Sequence, residues 1–297
     1  PCEETCTEGS NPSSSAIKLI KMSNNQDIKN SDISIILLLY KTPGKKIPNL
    51  KNYKGFNILI LDQSNDHITK KKITKILPKI TYYKISNKNH GFAKGVNFLS
   101  KKVKTKFFLC TQADVLINKK SIIKLKNAFI KNEDCVISIP SFNNRSKKKF
   151  ISKINRFYGA IFLAENSKFK KIGRFDENFF FYWEDEDLSK RIVNSDKLNI
   201  YECSNAFARH DNGKSTKTSC KSNFIRLSNF KFGEYYFQNK YNKLKLVKIL
   251  REPIIKILSI IFYLLTFQRK LMYKNLFHLI GIMKFYKYIF SKIIRNL

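Results

Sequence analysis

Four acids stand side by side in FFFYWEDEDL, Phe179–Leu188, directly behind five aromatics, in a chain with 57 Lys and Arg against 22 Asp and Glu. In the first turn of a helix, Glu184, Asp185, Glu186 and Asp187 would complement the positive end of its dipole. Successive helix positions point about 100° apart, so at most two of these carboxylates can belong to one site. Two other carboxylates end strand-like runs: Asp62 in ILILDQSND and Asp114 in FFLCTQADV. The carboxyl edge of an open α/β sheet is where such folds bind ligands. A single carboxylate there can hold Mg2+ or Mn2+ when substrate phosphates supply further oxygens. Each aspartate also has the simpler reading of a turn former. In NKNHGFAKGVN, Gly91 and Gly95 stand four apart at the start of a helix, where the backbone is open to a phosphate and the dipole favours it. That spacing is neither a Walker loop nor a dinucleotide fingerprint. His210, in ARHDNGKST, follows a strand in a Gly-containing loop; taken alone, it reads as a structural histidine.

Elements that would position these residues alternate from Asp32 onward, as parallel α/β architecture requires. The pattern predicts strands at Ile33–Tyr40, Asn57–Leu61, Ile80–Ile85, Lys106–Cys110 and Cys135–Ile139. Helices are expected at His67–Leu77, Phe92–Val103 and Lys119–Lys131, with Asp66 and Asn118 as N-caps of the first and third. Beyond Pro140 we expect a loop at NNRSKKK, a strand at Gly159–Ala164, a helix at Asp185–Asn194 and a strand at Asn199–Cys203.

Composition sets the outer bounds. With 43% hydrophobic and 13% aromatic residues in 297, the chain can bury a substantial core. The net charge of +35 would attract phosphate polyanions and anionic lipid alike, but an AT-rich coding sequence yields the same Lys, Ile and Asn excess. The basic residues are scattered, without a nucleic-acid-binding signature, so no specific nucleic-acid partner is expected. The six cysteines form no C-x-x-C pair and read as reduced, cytosolic thiols. Residues 1–21 read as a tag or upstream read-through before Met22, and 1–30 as a disordered or non-native segment.

Residues 31–222 are expected to form the α/β domain, and 223–297 a basic amphipathic helical region. Its run Ile257–Phe267 falls short of the roughly 20 residues needed to cross a bilayer. We expect these helices to lie in a membrane interface, placing the protein peripherally on the inner face of the cell membrane. The alternative is that they pack on the domain.

Taken in order, IILLLYKT, LDQSND, NHGFAKGVN, QADV, IGRFDENFFFYWEDEDL and RHDNGKS resemble the motifs of family 2 glycosyltransferases, in particular the rhamnosyltransferase-like branch. The resemblance covers about Ile33 to Thr216, and its fifth motif is long and specific. It implies a GT-A fold, a mixed and mainly parallel sheet flanked by helices, here followed by the amphipathic helical tail. It also implies inverting transfer of a sugar, rhamnose or hexose, from a nucleotide-diphosphate donor to a hydroxyl of a surface-glycan or lipid-linked acceptor. On the matching positions, Tyr40 and Asp62 would hold the donor base, with Gly91, Lys94 and Asn97 near its ribose and diphosphate. Gln112 and Asp114 occupy the metal motif, and His210 would complete a Mg2+ or Mn2+ site. Asp185 matches the catalytic base, with Trp183 and Glu184 on the acceptor side. Lys41, Gln63 and Gln112 depart from the family pattern. Gln112 offers an amide oxygen without charge where an acid or Asn is usual, so metal binding rests on Asp114 and His210. A non-catalytic scaffold that binds nucleotide-sugar or glycan at the membrane is the alternative.

Overall fold

The computed structural model of the protein describes residues 32–142, 150–210 and 219–296. The expected loop at NNRSKKK, the segment 1–30 and the residues immediately after His210 lie outside them. The first strand, β1 (Ile33–Leu39), is buried almost throughout, because helices cover both faces of the sheet. Strands β2 (Asn57–Asp62), β3 (Tyr82–Ile85) and β4 (Phe107–Thr111) join it in the parallel order β3-β2-β1-β4. Beyond β4, strand β8 (Phe162–Glu165) runs antiparallel between β4 and β6 (Cys135–Ser141). Strand β9 (Asn199–His210) pairs in parallel with β6 and antiparallel with two short strands, β5 (Val115–Ile117) and β7 (Ile151–Ile154).

The period of two along β1 divides the core. Ile33, Ile35, Leu37 and Leu39 face one layer and Ile36 the other. The first layer is closed by a 3-10 segment (Gly44–Tyr53), α1 (His67–Ile76), α3 (Lys119–Leu125) and α4 (Asn127–Lys131). The second is closed by α2 (Phe92–Ser100), α5 (Asn166–Lys171) and α6 (Glu184–Val193). Both predicted caps form: Asp66 accepts from the amides of Ile68 and Thr69, and Asn118 from that of Ser121.

Three expectations are corrected. The helix foreseen over Lys119–Lys131 is two, meeting at Lys126. The strand foreseen at Gly159 begins only at Phe162. Strand β9 continues to His210, well past Cys203: a register shift at Pro140/Ser141 carries its pairing with β6 on to Phe207, and its last residues pair with β5.

Three helices complete the chain: α7 (Cys220–Lys240), α8 (Leu246–Leu265) and α9 (Arg269–Asn296). A third cluster, of Phe179, Tyr235, Tyr236, Phe237, Ile282 and Phe285, joins α7 and α9 to the aromatic loop before α6. Helix α8 buries no residue at all.

Candidate active site

The carboxyl ends of β1, β4 and β9 and the start of α6 surround a cavity of about 850 Å3. Tyr40, Gly91, Gln112, Asp114, Glu184, Asp185 and His210 all line it, drawn from segments up to 170 positions apart in the chain. The pairing of β5 with β9 sets Val115 opposite His210. Asp114, one residue before β5, therefore lies beside the imidazole, with Nε2 3.4 Å from Oδ2. Asp114 is 1% exposed, and neither carboxylate oxygen has a hydrogen-bond partner among the described residues. A buried anion without donors is costly, and a cation is the natural complement. Asp114 and His210 thus fit a divalent ion as a two-ligand site. No group of three or more His, Cys, Asp or Glu that could hold one occurs among the described residues.

Asp185 is held by two backbone donors: Gly159 N–H to Oδ2 at 3.0 Å and Glu186 N–H to Oδ1 at 2.9 Å. Burial raises its pKa above the ordinary aspartate value, and these two amides oppose the rise without cancelling it. Burial, reinforced by neighbouring Asp185, lifts Glu184 well above the ordinary glutamate range. The other two acids face elsewhere. Glu186 pairs with Arg156 at 2.5 Å, and Asp187, fully buried, accepts from Arg191 at 2.9 Å, Lys240 at 2.7 Å and Tyr241 at 2.9 Å.

Gly91 joins the phosphate-like turn to the aromatic loop. Its φ of 85° with ψ of −179° is open to glycine alone, and an added Cβ would stand 2.2 Å from the Phe180 carbonyl oxygen. That oxygen accepts from Phe92 N–H at 2.8 Å. Gln63 braces the same turn, accepting from His90 N–H at 2.7 Å and donating to the Gly91 carbonyl.

The family model for glycosyl transferase family 2 matches residues 45–193, half of the chain. The chain belongs to this family. A crystal structure of GalNAc-T7 with UDP, GalNAc and Mn2+ resembles this family member with a TM-score of 0.50 at 12% identity, over 70% of this chain and 50% of that one. The present chain thus spans half the length of GalNAc-T7. The mannosyltransferase PcManGT from Pyrobaculum calidifontis, in complex with GDP-Man and Mn2+, resembles it with a TM-score of 0.53 at 10% identity, over 86% of both chains. At such identities the likeness concerns the fold, which is GT-A, as the resemblance implied. No curated protein matches the sequence.

Four predicted contacts of this family member fall outside the cavity lining. The Asp62 carboxylate is fully buried and accepts from Ser64 N–H at 2.9 Å and the Tyr83 hydroxyl at 3.1 Å, fixing the β2 exit. Lys94 is exposed on α2. Asn97 clamps the loop before the aromatics, donating to the Phe175 carbonyl at 2.8 Å and to Glu177 at 3.1 Å, and accepting from Phe175 N–H at 3.1 Å. Trp183 turns away because Tyr182 and Trp183 both adopt left-handed backbone, with φ of 70° and 72°. Its ring packs on Phe230 and Phe237 of α7 and over Gly233, where a Cβ would come within 2.8 Å of Trp183 Cδ1. The aromatic wall of the cavity is instead Phe180, Phe181 and Tyr182.

Sequence reasoning missed Gln63, Arg209, Ser222 and Arg226, all of which line the cavity. The position of Gln63, directly after a strand-end aspartate, was a usable signal. Arg226 carried none, since its segment reads as tail. In the structure its Nε donates to the Tyr182 hydroxyl at 3.0 Å, making α7 one wall of the site.

Proposed function

We propose that the protein is an inverting glycosyltransferase that moves a sugar, rhamnose or hexose, from a nucleotide-diphosphate donor to a hydroxyl of a surface-glycan or lipid-linked acceptor. The observation that carries this reading is the Asp185 carboxylate, half-buried, fixed by two amides and opening onto the cavity that holds Asp114 and His210. Inversion needs a base on the face opposite the leaving diphosphate, to take the acceptor proton as its oxygen attacks the anomeric carbon. Asp185 serves as that base, and its raised pKa strengthens it for the purpose. Glu184, beside it in the cavity wall, offers a hydrogen bond to the acceptor.

Asp114 and His210 would hold Mg2+ or Mn2+, which supplies positive charge to the leaving diphosphate when bound. The guanidinium groups of Arg209 and Arg226 add to that charge from the cavity wall. Tyr40 would border the donor base, and Gly91 and Gln112 the donor's path toward Asp114. On this reading the enzyme works peripherally at the inner face of the cell membrane, and the basic helical tail supports that location.

Asp185→Asn tests the base. Transfer should fall by about 10^2- to 10^4-fold, while a thermal-shift titration with nucleotide-sugars and Mn2+ should show unchanged nucleotide binding. Full activity in that variant would overturn the assignment.

A further inference from the structure

We propose that the outward face of α8 is a docking surface for an anionic lipid bilayer, on which the helix lies flat. This deepens the membrane placement given above and is independent of the transfer chemistry. A helix of a globular protein normally turns its apolar stripe inward and its charges outward. Helix α8 does the reverse. Val247, Leu250, Ile254, Leu258, Ile261 and Leu265 follow one another at helical spacing and are 49–72% exposed.

The inward face of α8 is the polar one. Glu252 pairs with Lys231 at 2.7 Å and accepts from the Tyr235 hydroxyl at 2.8 Å, Lys248 pairs with Glu234, and Lys256 donates to Asn275 at 3.2 Å. The helix is thus fastened to α7 and α9 by charges, leaving a continuous apolar strip in water. Scattered exposed leucines need no explanation, but a contiguous strip of this length marks a contact surface.

Charge and length identify the occupant. No helix among the described residues is long and apolar enough to cross a membrane, so the strip suits insertion to headgroup depth. From Cys220 to Asn296 the only acids are Glu234 and Glu252, both turned inward onto lysines. The exposed cations Arg251, on α8, and Arg269 and Lys270, just past its C-terminal tip, lie beside the strip. They complement anionic headgroups, whereas a second copy of the chain would set like charges against one another.

Helix α7 transmits the docking to the site. Its first turns place Ser222, Ile225 and Arg226 in the cavity wall. Farther along, its backbone meets α9 so closely that a Cβ on Gly281 would lie 2.4 Å from the Ser228 carbonyl oxygen. The cavity is therefore held at a set distance from the bilayer, as a lipid-linked acceptor requires.

Co-sedimentation of the full chain with phosphatidylcholine vesicles, with and without about a third phosphatidylglycerol, tests the surface. The wild type should bind the anionic vesicles and not the neutral ones. The double variant Leu258→Glu, Ile261→Glu should lose at least tenfold in bound fraction with unchanged circular dichroism and unchanged donor hydrolysis. Should it fail to fold, Arg251→Glu with Arg269→Glu decides, with the same expected loss on anionic vesicles. Absence of wild-type binding, or binding that survives both variants, would overturn the proposal. So would a wild-type dimer that does not bind vesicles and is dissolved by the double variant. Donor hydrolysis without vesicles is read separately, so failure of the surface and failure of the transferase reading are distinguishable.

Discussion

Replacing Gly91 by alanine should strike fold and site together, and the structure supplies the size of the blow. The new Cβ would lie 2.2 Å from the Phe180 carbonyl oxygen, inside the 3.0 Å below which real Cβ contacts essentially never fall. Because the obstacle is backbone, no side chain can swing aside. Either Phe180 withdraws and breaks its bond from Phe92 N–H, or residue 91 leaves its backbone conformation. The conformation costs alanine about 1–3 kcal/mol, and loss of a buried hydrogen-bond partner about 1–3 kcal/mol. Where alanine keeps that conformation and displaces Phe180, both costs apply, about 2–6 kcal/mol together. Two other glycines provide the scale. Gly173 shares a positive φ, 89°, but an added Cβ there meets only the flexible end of Arg191 at 3.5 Å, so alanine pays backbone strain alone, about 1–2 kcal/mol. Gly44 has open space around it, and its replacement should stay within about 0.5 kcal/mol. Urea denaturation of the three variants, compared at equal m-values, should rank them 91, then 173, then 44. Since Phe180 lines the cavity, Gly91→Ala should also weaken nucleotide binding by thermal shift. A Gly91→Ala protein no less stable than Gly173→Ala would refute the close-approach argument.

Asn97→Ala should cost about 1–3 kcal/mol through its lost bonds to the Phe175–Glu177 loop, with donor KM within about twofold of wild type; a tenfold rise in KM at full stability would restore Asn97 to the donor site. Glu184→Gln should change the pH dependence of stability. Above the ordinary glutamate value of 4.5 the unfolded chain releases this proton while the folded protein keeps it. Stability therefore falls as pH rises through that window, and the glutamine variant escapes the penalty. Melting curves from about pH 5 to about pH 8 should show the wild type losing ground to the variant. A difference that stays flat across that range would contradict a Glu184 held protonated by burial.

Much of this architecture is written locally. Strand β1 is an apolar run broken only by Ser34 because both its faces are covered, and Asp66 and Asn118 announce helix starts by the hydrogen bonds their short side chains can reach. What escaped is whatever depends on a distant partner. Residues 115–117 make a strand only because the end of β9 lies alongside, and the same pairing brings Asp114 to His210. Neither neighbourhood contains that information. The break at Lys126 sits in KLKNAFIK, which reads as continuous helix. The resemblance puts Trp183 on the acceptor side, but the aromatic pattern does not show that two left-handed residues send Trp183 to α7 while Tyr182 faces the cavity. Arg226 lies beyond the matched family segment, and only the packing of α7 reveals it.

The ion pair of Lys240 with the buried Asp187 bears on how this protein can be cut and expressed. Lys240 also grips Asp176 at 2.7 Å, so one cation at the end of α7 neutralises two carboxylates of the α/β body, one of them in the same helix turn as Asp185. A fragment ending at residue 222 would leave Asp187 with only Arg191, strip Phe230, Gly233 and Phe237 from Trp183, and lose one wall of the cavity. The shortest useful catalytic fragment therefore extends at least to Tyr241, through a segment whose composition reads as appendage.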